Sequence, residues 1–462
     1  MPDEGRVGAG DVERVLTAPV RRWSPTYKLM LGMLVVIMAV AVYAYFRQFT
    51  QGFTVTGMRD VVSWGVYIAS FVFFIGISHA GTLVSAVLRV THAEWRTPVT
   101  RMAEVITAVS LLIGASFIIV DLGRPERMLN LFTYGQVHSP LLWDTFGILT
   151  YLTGSVVYLY LPMIPDIALL RDKPQGIPRW QRKIYALLAV NWHGTPRQWH
   201  HLERALRVMA VIIIPVAVSV HTVVSWVFAM TLRVGWHSTI FAPYFVAGAI
   251  YSGTAGIIVA MYFFRRFYHL EPWIKTKHFV YLGYLMVVLG IGMLYFTLSE
   301  YLVSNYQAHT IDSEWTNALF YGRFSTLFVP MLIFGFFIPI GLIAIPKTRT
   351  IVGITVAGIM ANVAMWVERY LIVVATMSTP WTPGQVGDYM PTWVEWSILA
   401  GMISLFVFLY ALYSGFFPII SIWEVSPRHG PRHARPSPAR LAAPRRTAAD
   451  GGTPSDEEVS RR

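Results

Sequence analysis

The sequence contains no cysteine, and charged residues make up only 13% of its 462 residues. Without cysteine the chain can form no disulfide, no thiolate zinc site and no iron–sulfur cluster held by its own thiolates. A soluble domain carries about 25% charged residues, so roughly half of the usual charge is missing. This scarcity argues against a soluble globular domain.

Apolar residues take the place of the missing charge. They make up 55% of the chain, and 14% of the residues are aromatic; the mean hydropathy is +0.51. Apolar runs of about 20 residues or more, each long enough to cross a bilayer as a helix, recur along the sequence. They occupy approximately residues 29–49, 62–90, 98–122, 141–165, 204–232, 240–268, 279–302, 324–346, 350–377 and 394–423. The pattern predicts an all-α polytopic membrane protein with about ten transmembrane helices.

The distribution of the basic residues predicts an orientation. The net charge is +12, but arginine and lysine are concentrated in every second loop and in the two tails. The positive-inside rule then places both termini in the cytoplasm and the 121–140 loop on the outer side of the membrane. A basic surface for nucleic acid is not expected. The first apolar run follows a polar segment and is long, which is typical of a retained span rather than a cleaved signal peptide.

A faint internal repeat suggests how the helices are grouped. Tyr67, Gly76 and Arg89 match Tyr244, Gly253 and Arg266 at one offset, and the same shift brings Asp121 close to Glu300. We therefore expect two four-helix bundles with one further helix at each end of the chain. The corresponding division is an N-terminal segment 1–28, a first helix and loop 29–61, bundles 62–232 and 233–378, a last helix 379–424 and a disordered basic tail 425–462.

One stretch, F-I-I-V-D-L-G-R-P-E-R from Phe117 to Arg127, combines the end of an apolar run with acids and arginines. Gly and Pro after Asp121 are typical of a helix stop. The carboxyl group of Asp121 should therefore lie at or just inside the membrane edge, where an ionisable group is costly and often functional. The alternative is a simple ion pair with Arg124 or Arg127.

The next apolar run opens with S-P-L-L-W-D-T-F-G-I-L-T-Y, Ser139 to Tyr151. Pro140 can begin a helix, which places Asp144 in its first turns. Together with Trp143, Phe146 and Tyr151, this acid would suit a quinone ring, which needs apolar walls and a few protonatable groups. The alternative is that Asp144 only stabilises the helix dipole.

Further titratable residues lie inside the apolar runs. His79 has small neighbours in the second run, and Glu104 begins the third from the cytoplasmic side, so Glu104, His79 and Asp121 could form a proton path at rising depth. Taken by itself, His79 is better explained as a neutral histidine bonded to a neighbouring helix. The remaining candidates are a second mid-membrane histidine and an adjacent acid–base pair: His221, Glu368 and Arg369.

The D-L-G-R-P-E-R segment and the second run together resemble the NrfD/polysulfide reductase membrane-subunit family, from about Trp64 to Trp423. Several stretches are most similar to the larger NrfD-like subunit of alternative complex III. They are H-A-G-T-L-V-S-A from His79, P-L-L-W-D from Pro140, S-V-H-T-V-V-S-W from Ser219, G-W-H-S-T-I-F-A-P-Y-F-V-A-G-A from Gly235 and W-V-E-R-Y-L-I-V-V from Trp366. That subunit usually has histidine where this chain has Asp121, whereas the wider family has aspartate.

The resemblance implies a ten-helix subunit that holds no haem, metal or cluster of its own. It would bind a quinol at its periplasmic edge, and the quinone would be menaquinone or ubiquinone. The implied partners are a periplasmic ferredoxin-like iron–sulfur subunit, a molybdopterin-type subunit or c-type cytochrome subunits, and a second NrfD-like membrane subunit. We expect Asp121, Asp144 and His79 to act in proton exchange. The expected quinone site also includes Tyr67, Arg124, Trp143, Phe146 and Tyr151, with Glu104, His221, Glu368 and Arg369 on the proton path.

Two other functions fit the residues taken alone. The possible repeat and the Glu368–Arg369 pair are compatible with a transporter or proton channel. His79 and His221 could be axial ligands of one haem b, although two haems would need four such histidines.

Overall fold

The computed structural model describes residues 9–21, 23–173, 176–231, 233–306, 310–379 and 387–426. This part of the chain is helical and contains no β-strand. Most of the predicted basic tail and the first eight residues lie outside it. The helices are α1 (Ala9–Arg21), α2 (Pro25–Gln51), α3 (Val66–Val90), α4 (Thr97–Asp121), α5 (Asn130–Thr133), α6 (Pro140–Tyr160), α7 (Ile164–Asp172), α8 (Arg179–Leu188), α9 (Pro196–Ala229), α10 (Phe241–Phe267), α11 (Thr276–Tyr306), α12 (Thr310–Phe320), α13 (Ser325–Leu332), α14 (Ile338–Ala344), α15 (Ile351–Ser378), α16 (Trp393–Phe416) and α17 (Ile422–Val425).

Ten helical segments in the described residues are long and apolar enough to cross a membrane. They are α2, α3, α4, α6 with α7, α9, α10, α11, α13 with α14, α15 and α16, and they confirm the predicted number. In the eighth segment a π-helical turn, Ile333–Phe337, joins α13 to α14. Tyr251 donates a hydrogen bond to the Gly335 carbonyl in this turn at 2.6 Å, which satisfies a group that the irregular helix leaves free.

The helices form the two predicted bundles. In the first, α3 packs on α4 and α9, and α6 packs on both of these. In the second, α10 packs on α11 and α15, and α14 packs on both. Helices α2 and α16, from opposite ends of the chain, pack along each other and α16 also contacts α4. The fold class is therefore confirmed.

Helix α3 lies at the centre of the molecule, because it contacts helices of its own bundle as well as α10 and α15 of the other. Nearly every residue from Val66 to Ala86 is buried. Gly253 of α10 allows this approach: a Cβ atom there would lie 2.3 Å from the Ala80 Cβ atom and 2.6 Å from the Ile77 carbonyl oxygen. Small residues permit such close contact between membrane helices.

Several predicted span ends differ from the observed ones by up to eight residues, and two of these differences have a clear local cause. Helix α9 begins at Pro196 rather than near residue 204, because Thr195 caps it and exchanges hydrogen bonds with Gln198 in a capping box. Helix α16 ends at Phe416 rather than at Trp423. Phe417 is extended, as the residue before a proline should be, and the chain then turns back into the short α17.

Candidate functional site

Helix α4 ends at Asp121, as the sequence predicted. Gly123 adopts φ +66°, the left-handed conformation that commonly terminates a helix. A Cβ atom at Gly123 would also lie 2.7 Å from the Phe53 ring. Because α3, α4, α6, α9 and α10 alternate in direction, Asp121 and Asp144 lie at the same end of the molecule. We call this the Asp121 end, and the opposite end, where α4 begins, the Arg101 end.

Asp121 faces the first and last spanning helices. One of its carboxyl oxygens is buried and has no hydrogen-bond partner. Beside it, the Tyr67 hydroxyl donates to the Gln48 side-chain oxygen at 2.6 Å, and the Gln48 amide donates to the Val120 carbonyl at 2.9 Å. Glu395 lies within electrostatic range of both Asp121 and Tyr67. Asp121 is therefore set among polar groups of α2, α3 and α16.

Arg124 and Arg127 do not neutralise Asp121. Both side chains are exposed, and the ion pairs among the described residues include none between Asp121 and either arginine. The simple ion-pair interpretation of this stretch is therefore not supported. A pocket of about 10 Å³ lies next to the turn, between Gln48, Phe53, Val120 and Gly123, which is room for about one water molecule.

Glu395 anchors the loops that surround this position. Its carboxylate accepts hydrogen bonds from the Gly57 amide at 2.6 Å, from the Thr392 amide at 2.9 Å and from the Tyr389 hydroxyl. The same hydroxyl accepts from the Val66 amide at 2.9 Å. Burial and the Glu395 carboxylate raise the pKa of the Tyr389 hydroxyl well above its ordinary value, so it remains a donor. This network fixes the start of α3, and with it Tyr67.

Asp144 occupies a different environment from Asp121. It is 6% exposed, and one carboxyl oxygen is buried without a hydrogen-bond partner. Ile148 and Tyr151, four and seven positions later, are also buried, so Asp144 lies on the inward face of α6. Although the two acids lie at one end of the molecule, none of the hydrogen bonds of the described residues joins them.

The aromatic residues predicted to line the quinone site do not lie together. Tyr67 accompanies Asp121, and Tyr151 shares the inward face with Asp144. Trp143 donates to the Val137 carbonyl at 2.5 Å and so stays with the preceding loop. Phe146 is 53% exposed and contacts Phe132, which places it on the outer face of α6.

His79 is fully buried, and each of its ring nitrogens faces a carbonyl oxygen. Nδ1 lies 2.7 Å from the Ile75 oxygen and Nε2 lies 2.6 Å from the Ala217 oxygen. A neutral imidazole has one N–H group, so a second proton on this ring finds an acceptor already in place. The His79 ring centroid is 4.9 Å from that of Tyr151 and 4.3 Å from that of His221. The nitrogens of His221 are buried without partners.

Hydroxyl groups lie between the surroundings of His79 and Glu104, in two separate hydrogen-bonded groups. Tyr151 and Thr107 both donate to the Ser78 carbonyl, at 3.1 and 2.7 Å, and Thr82 donates to Thr107 at 3.2 Å. One turn further along α3, Ser85 donates to Glu104 at 2.6 Å. Sequence reasoning identified Tyr151 but missed Thr82, Ser85, Thr107 and Gln48. The signal was present, because Ser78, Thr82 and Ser85 follow i, i+4, i+7 spacing on an apolar helix.

Glu368 and Arg369 lie between the bundles. Their side chains are 3.1 Å apart, and the Tyr244 hydroxyl donates to Glu368. The Arg369 guanidinium lies 4.6 Å from the Phe245 ring centroid and within electrostatic range of His221. Glu368 and Arg369 therefore form a buried ion pair, and this pair borders the histidines.

The polysulphide reductase NrfD family matches residues 54–380, which is most of the chain. The chain belongs to this family. Among its relatives is a protein of Halobacterium salinarum named as a membrane subunit of a dimethyl sulfoxide reductase, with 30% identity over 239 residues. That match spans 51% of this chain and 52% of the relative, so it covers only about half of each.

Two other relatives match over nearly their whole length. A selenate reductase subunit of Mesobacillus selenatarsenatis is 24% identical over 420 residues, 87% of this chain and 97% of the relative. The Hdr-like menaquinol oxidoreductase integral membrane subunit of Archaeoglobus fulgidus is 24% identical over 421 residues, which is 85% of this chain and 94% of the relative. This chain is thus similar to subunits of several oxidoreductase complexes.

Proposed function

We propose that this chain is the quinone-binding membrane subunit of a respiratory oxidoreductase complex. The observation that carries the proposal is that Asp121 and Asp144, at one end of the molecule, each keep a buried carboxyl oxygen without a hydrogen-bond partner. Buried polar atoms are nearly always paired, so such oxygens suit a ligand that brings hydroxyl groups. The names of the relatives, a menaquinol oxidoreductase subunit among them, support a quinol as that ligand.

In the quinol-oxidising direction, a quinol loses two electrons and two protons and becomes a quinone. Asp121 and Asp144 would accept the protons, each acting as a general base within reach of one hydroxyl group. The electrons would pass to a redox partner, for which we propose a periplasmic iron–sulfur subunit, because the chain has no cysteine to hold a cluster itself. In the reverse direction the same carboxyl groups would supply the protons. Alternative complex III and a polysulfide-reductase-like complex are both compatible with this arrangement.

The hydroxyl groups between His79 and Glu104 suggest where protons could travel. We propose that Tyr151, His79, Thr107 and Ser85 relay protons between the Asp144 side and Glu104 at the Arg101 end. Two contacts support this route: the Ser85 hydroxyl lies 2.6 Å from Glu104, and the His79 ring centroid lies 4.9 Å from that of Tyr151. His221 and the Glu368–Arg369 pair lie beside His79, and their charges would influence whether His79 takes up a proton.

The proposal is tested by quinol turnover in the assembled complex. Replacing the proton acceptor should lower turnover by about 10²-fold or more in Asp121→Asn and in Asp144→Asn, as is typical for a general base. Glu314→Gln, an exposed acid near the Asp121 end, is the control and should retain turnover. If both aspartate variants turn over quinol like the wild type while the complex assembles normally, the site assignment is wrong.

The hydroxyl groups between His79 and Glu104 also support a second candidate, a proton conductor that works without redox partners. Liposomes containing this chain alone distinguish the two functions. A pH-sensitive dye inside them should report no proton flux above that of empty liposomes if the chain is a redox subunit. A haem b protein is not favoured, because each His79 ring nitrogen already faces a carbonyl oxygen.

A further inference from the structure

A groove of about 890 Å³ lies at the Arg101 end, far from the proposed quinone site. Helix α1, the start of α2 and the end of α10 form its walls. The lining residues include Arg14, Arg21, Trp23, Tyr27, Phe267 and His269. A cavity of this size is typical of a ligand site rather than of a packing defect.

The aromatic wall of the groove is fastened to the last turns of α16. Tyr27 donates to the Ala411 carbonyl at 2.7 Å, and Trp23 donates to the Gly415 carbonyl at 3.3 Å. The hydroxyl groups of Tyr268 and Ser414 are 2.7 Å apart. Helices from three parts of the sequence are thus held together at the groove, so specific hydrogen bonds fix its shape.

The charged side chains that line the groove are basic. Arg14, Arg21 and His269 contribute to it, whereas neither aspartate nor glutamate does among the described residues. The nearby Glu13 pairs with Lys173 at 2.6 Å. The Nε atom of Arg21 is buried without a hydrogen-bond partner, and a guanidinium in this state favours an anionic oxygen acceptor.

An apolar surface continues from the groove along α10. Phe267 is 68% exposed and Phe263, one turn earlier, is 46% exposed. Their rings are stacked with centroids 6.0 Å apart. The surface leads from the basic groove toward the middle of a membrane span, so an occupant with an anionic head and an apolar tail matches both features. Tryptophan and tyrosine at the groove are typical of the membrane interface.

We propose that this groove binds an anionic phospholipid. Arg14 and Arg21 contact the phosphate, His269 borders the headgroup, and the acyl chains lie along Phe263 and Phe267. Basic pockets between spanning helices are typical sites for such headgroups. The bound lipid would join α1 to α2 and α10. This site is independent of the quinone chemistry proposed above.

Native mass spectrometry of the purified complex, titrated with phosphatidylglycerol or phosphatidylcholine, tests the proposal. The wild type should bind phosphatidylglycerol in preference to phosphatidylcholine. Arg14→Gln/Arg21→Gln loses two basic contacts and should bind phosphatidylglycerol about 30-fold more weakly. Arg179→Gln/Arg182→Gln removes two exposed arginines of α8 at the same end that do not line the groove, and it should bind like the wild type.

Three outcomes would overturn the proposal. They are equal binding of phosphatidylglycerol by the Arg14/Arg21 variant, equal loss in the α8 control, and displacement of the lipid by millimolar inorganic phosphate, which would indicate a simple ion site. If the Arg14/Arg21 variant does not assemble, Phe267→Ala serves instead. It should weaken phosphatidylglycerol binding without changing binding of the water-soluble headgroup glycerophosphoglycerol, and unchanged lipid binding would contradict the proposal.

Discussion

At the scale of single residues, the buried acids fall into two groups. Most have an ion-pair or hydrogen-bond partner. These paired acids are Glu104 with Ser85, Asp166 with Arg101, Glu300 with Ser238, Glu368 with Arg369 and Glu395 with Tyr389. Asp121 and Asp144 have neither an ion-pair nor a hydrogen-bond partner among the described residues, and each keeps one buried oxygen. Glu368 also has an oxygen without a hydrogen bond, but that oxygen lies 3.1 Å from the Arg369 guanidinium. Since an unpaired buried acid destabilises a fold, Asp121 and Asp144 are the two positions at which we propose that a ligand binds.

Gln48 provides a test of the surroundings of Asp121. Gln48→Leu removes the acceptor of the Tyr67 hydroxyl and the donor to the Val120 carbonyl. We expect a loss of about 1–3 kcal/mol in the free energy of unfolding, since two buried polar groups lose their partner. If Gln48 also positions the quinone site, kcat for quinol oxidation should fall even when it is calculated per folded, assembled complex. Tyr67→Phe, which removes only the hydroxyl, should show a smaller loss of stability. A stability loss without any change in kcat or KM would assign Gln48 a structural role only.

At the scale of helices, close contacts decide how the bundles meet. Helix α3 is buried on all sides because α10 approaches it through Gly253. Gly256 lies on the same face of α10 and has room for a methyl group. A Cβ atom there would lie 3.8 Å from the Ile77 Cγ2 atom, an ordinary van der Waals distance. The two glycines therefore form a matched pair for testing the contact.

Gly253→Ala should destabilise the protein by about 1–3 kcal/mol, because the added methyl group overlaps Ala80 and the Ile77 carbonyl. Gly256→Ala should be nearly neutral. Thermal unfolding in detergent, followed by circular dichroism, measures both. Equal unfolding temperatures for the two variants would show that α3 and α10 are further apart than the structure places them.

A second contact between elements holds the C-terminal segment in place. Arg101 of α4 pairs with Asp166 of α7 at 2.6 Å, and both side chains are 2% exposed. The amides of Ile422 and Trp423 also donate to Asp166, each at 3.1 Å. Arg101→Met leaves that carboxylate buried without its cation and should cost about 3–5 kcal/mol. The pair variant Arg101→Met/Asp166→Leu should recover part of the loss in thermal unfolding; no recovery would mean that packing, not charge, dominates here.

At the scale of the whole molecule, the absence of cysteine makes the predicted orientation testable. His193→Cys, between α8 and α9, and Tyr134→Cys, in the loop after α4, place one thiol at an exposed position at each end. In intact spheroplasts a membrane-impermeant maleimide should label Tyr134→Cys but not His193→Cys. After permeabilisation it should label both. The reverse pattern would place Asp121 on the cytoplasmic side and contradict a periplasmic quinone site.

Residue patterns predicted much of the fold, and the failures have specific causes. Gly123 and Pro125 predicted the end of α4, because a positive φ and a missing N–H group act locally. The start of α9 was missed because charged residues in its first turns concealed a capping box. The assignment of Phe146 to the site stays a prediction; the register of α6 places Phe146 on the outer face, whereas Asp144 and Tyr151 turn inward.

The sequence alone determined the ten apolar spans, the charge asymmetry and the acids at helix ends, because each depends on local composition and the dimensions of a bilayer. Only the tertiary structure decided that Asp121 faces Gln48 and Tyr67 whereas Asp144 faces the interior of its own bundle. It also joined α1, α2 and α10 into a basic groove. These arrangements depend on which helix faces meet, and residues far apart in the chain set those contacts together.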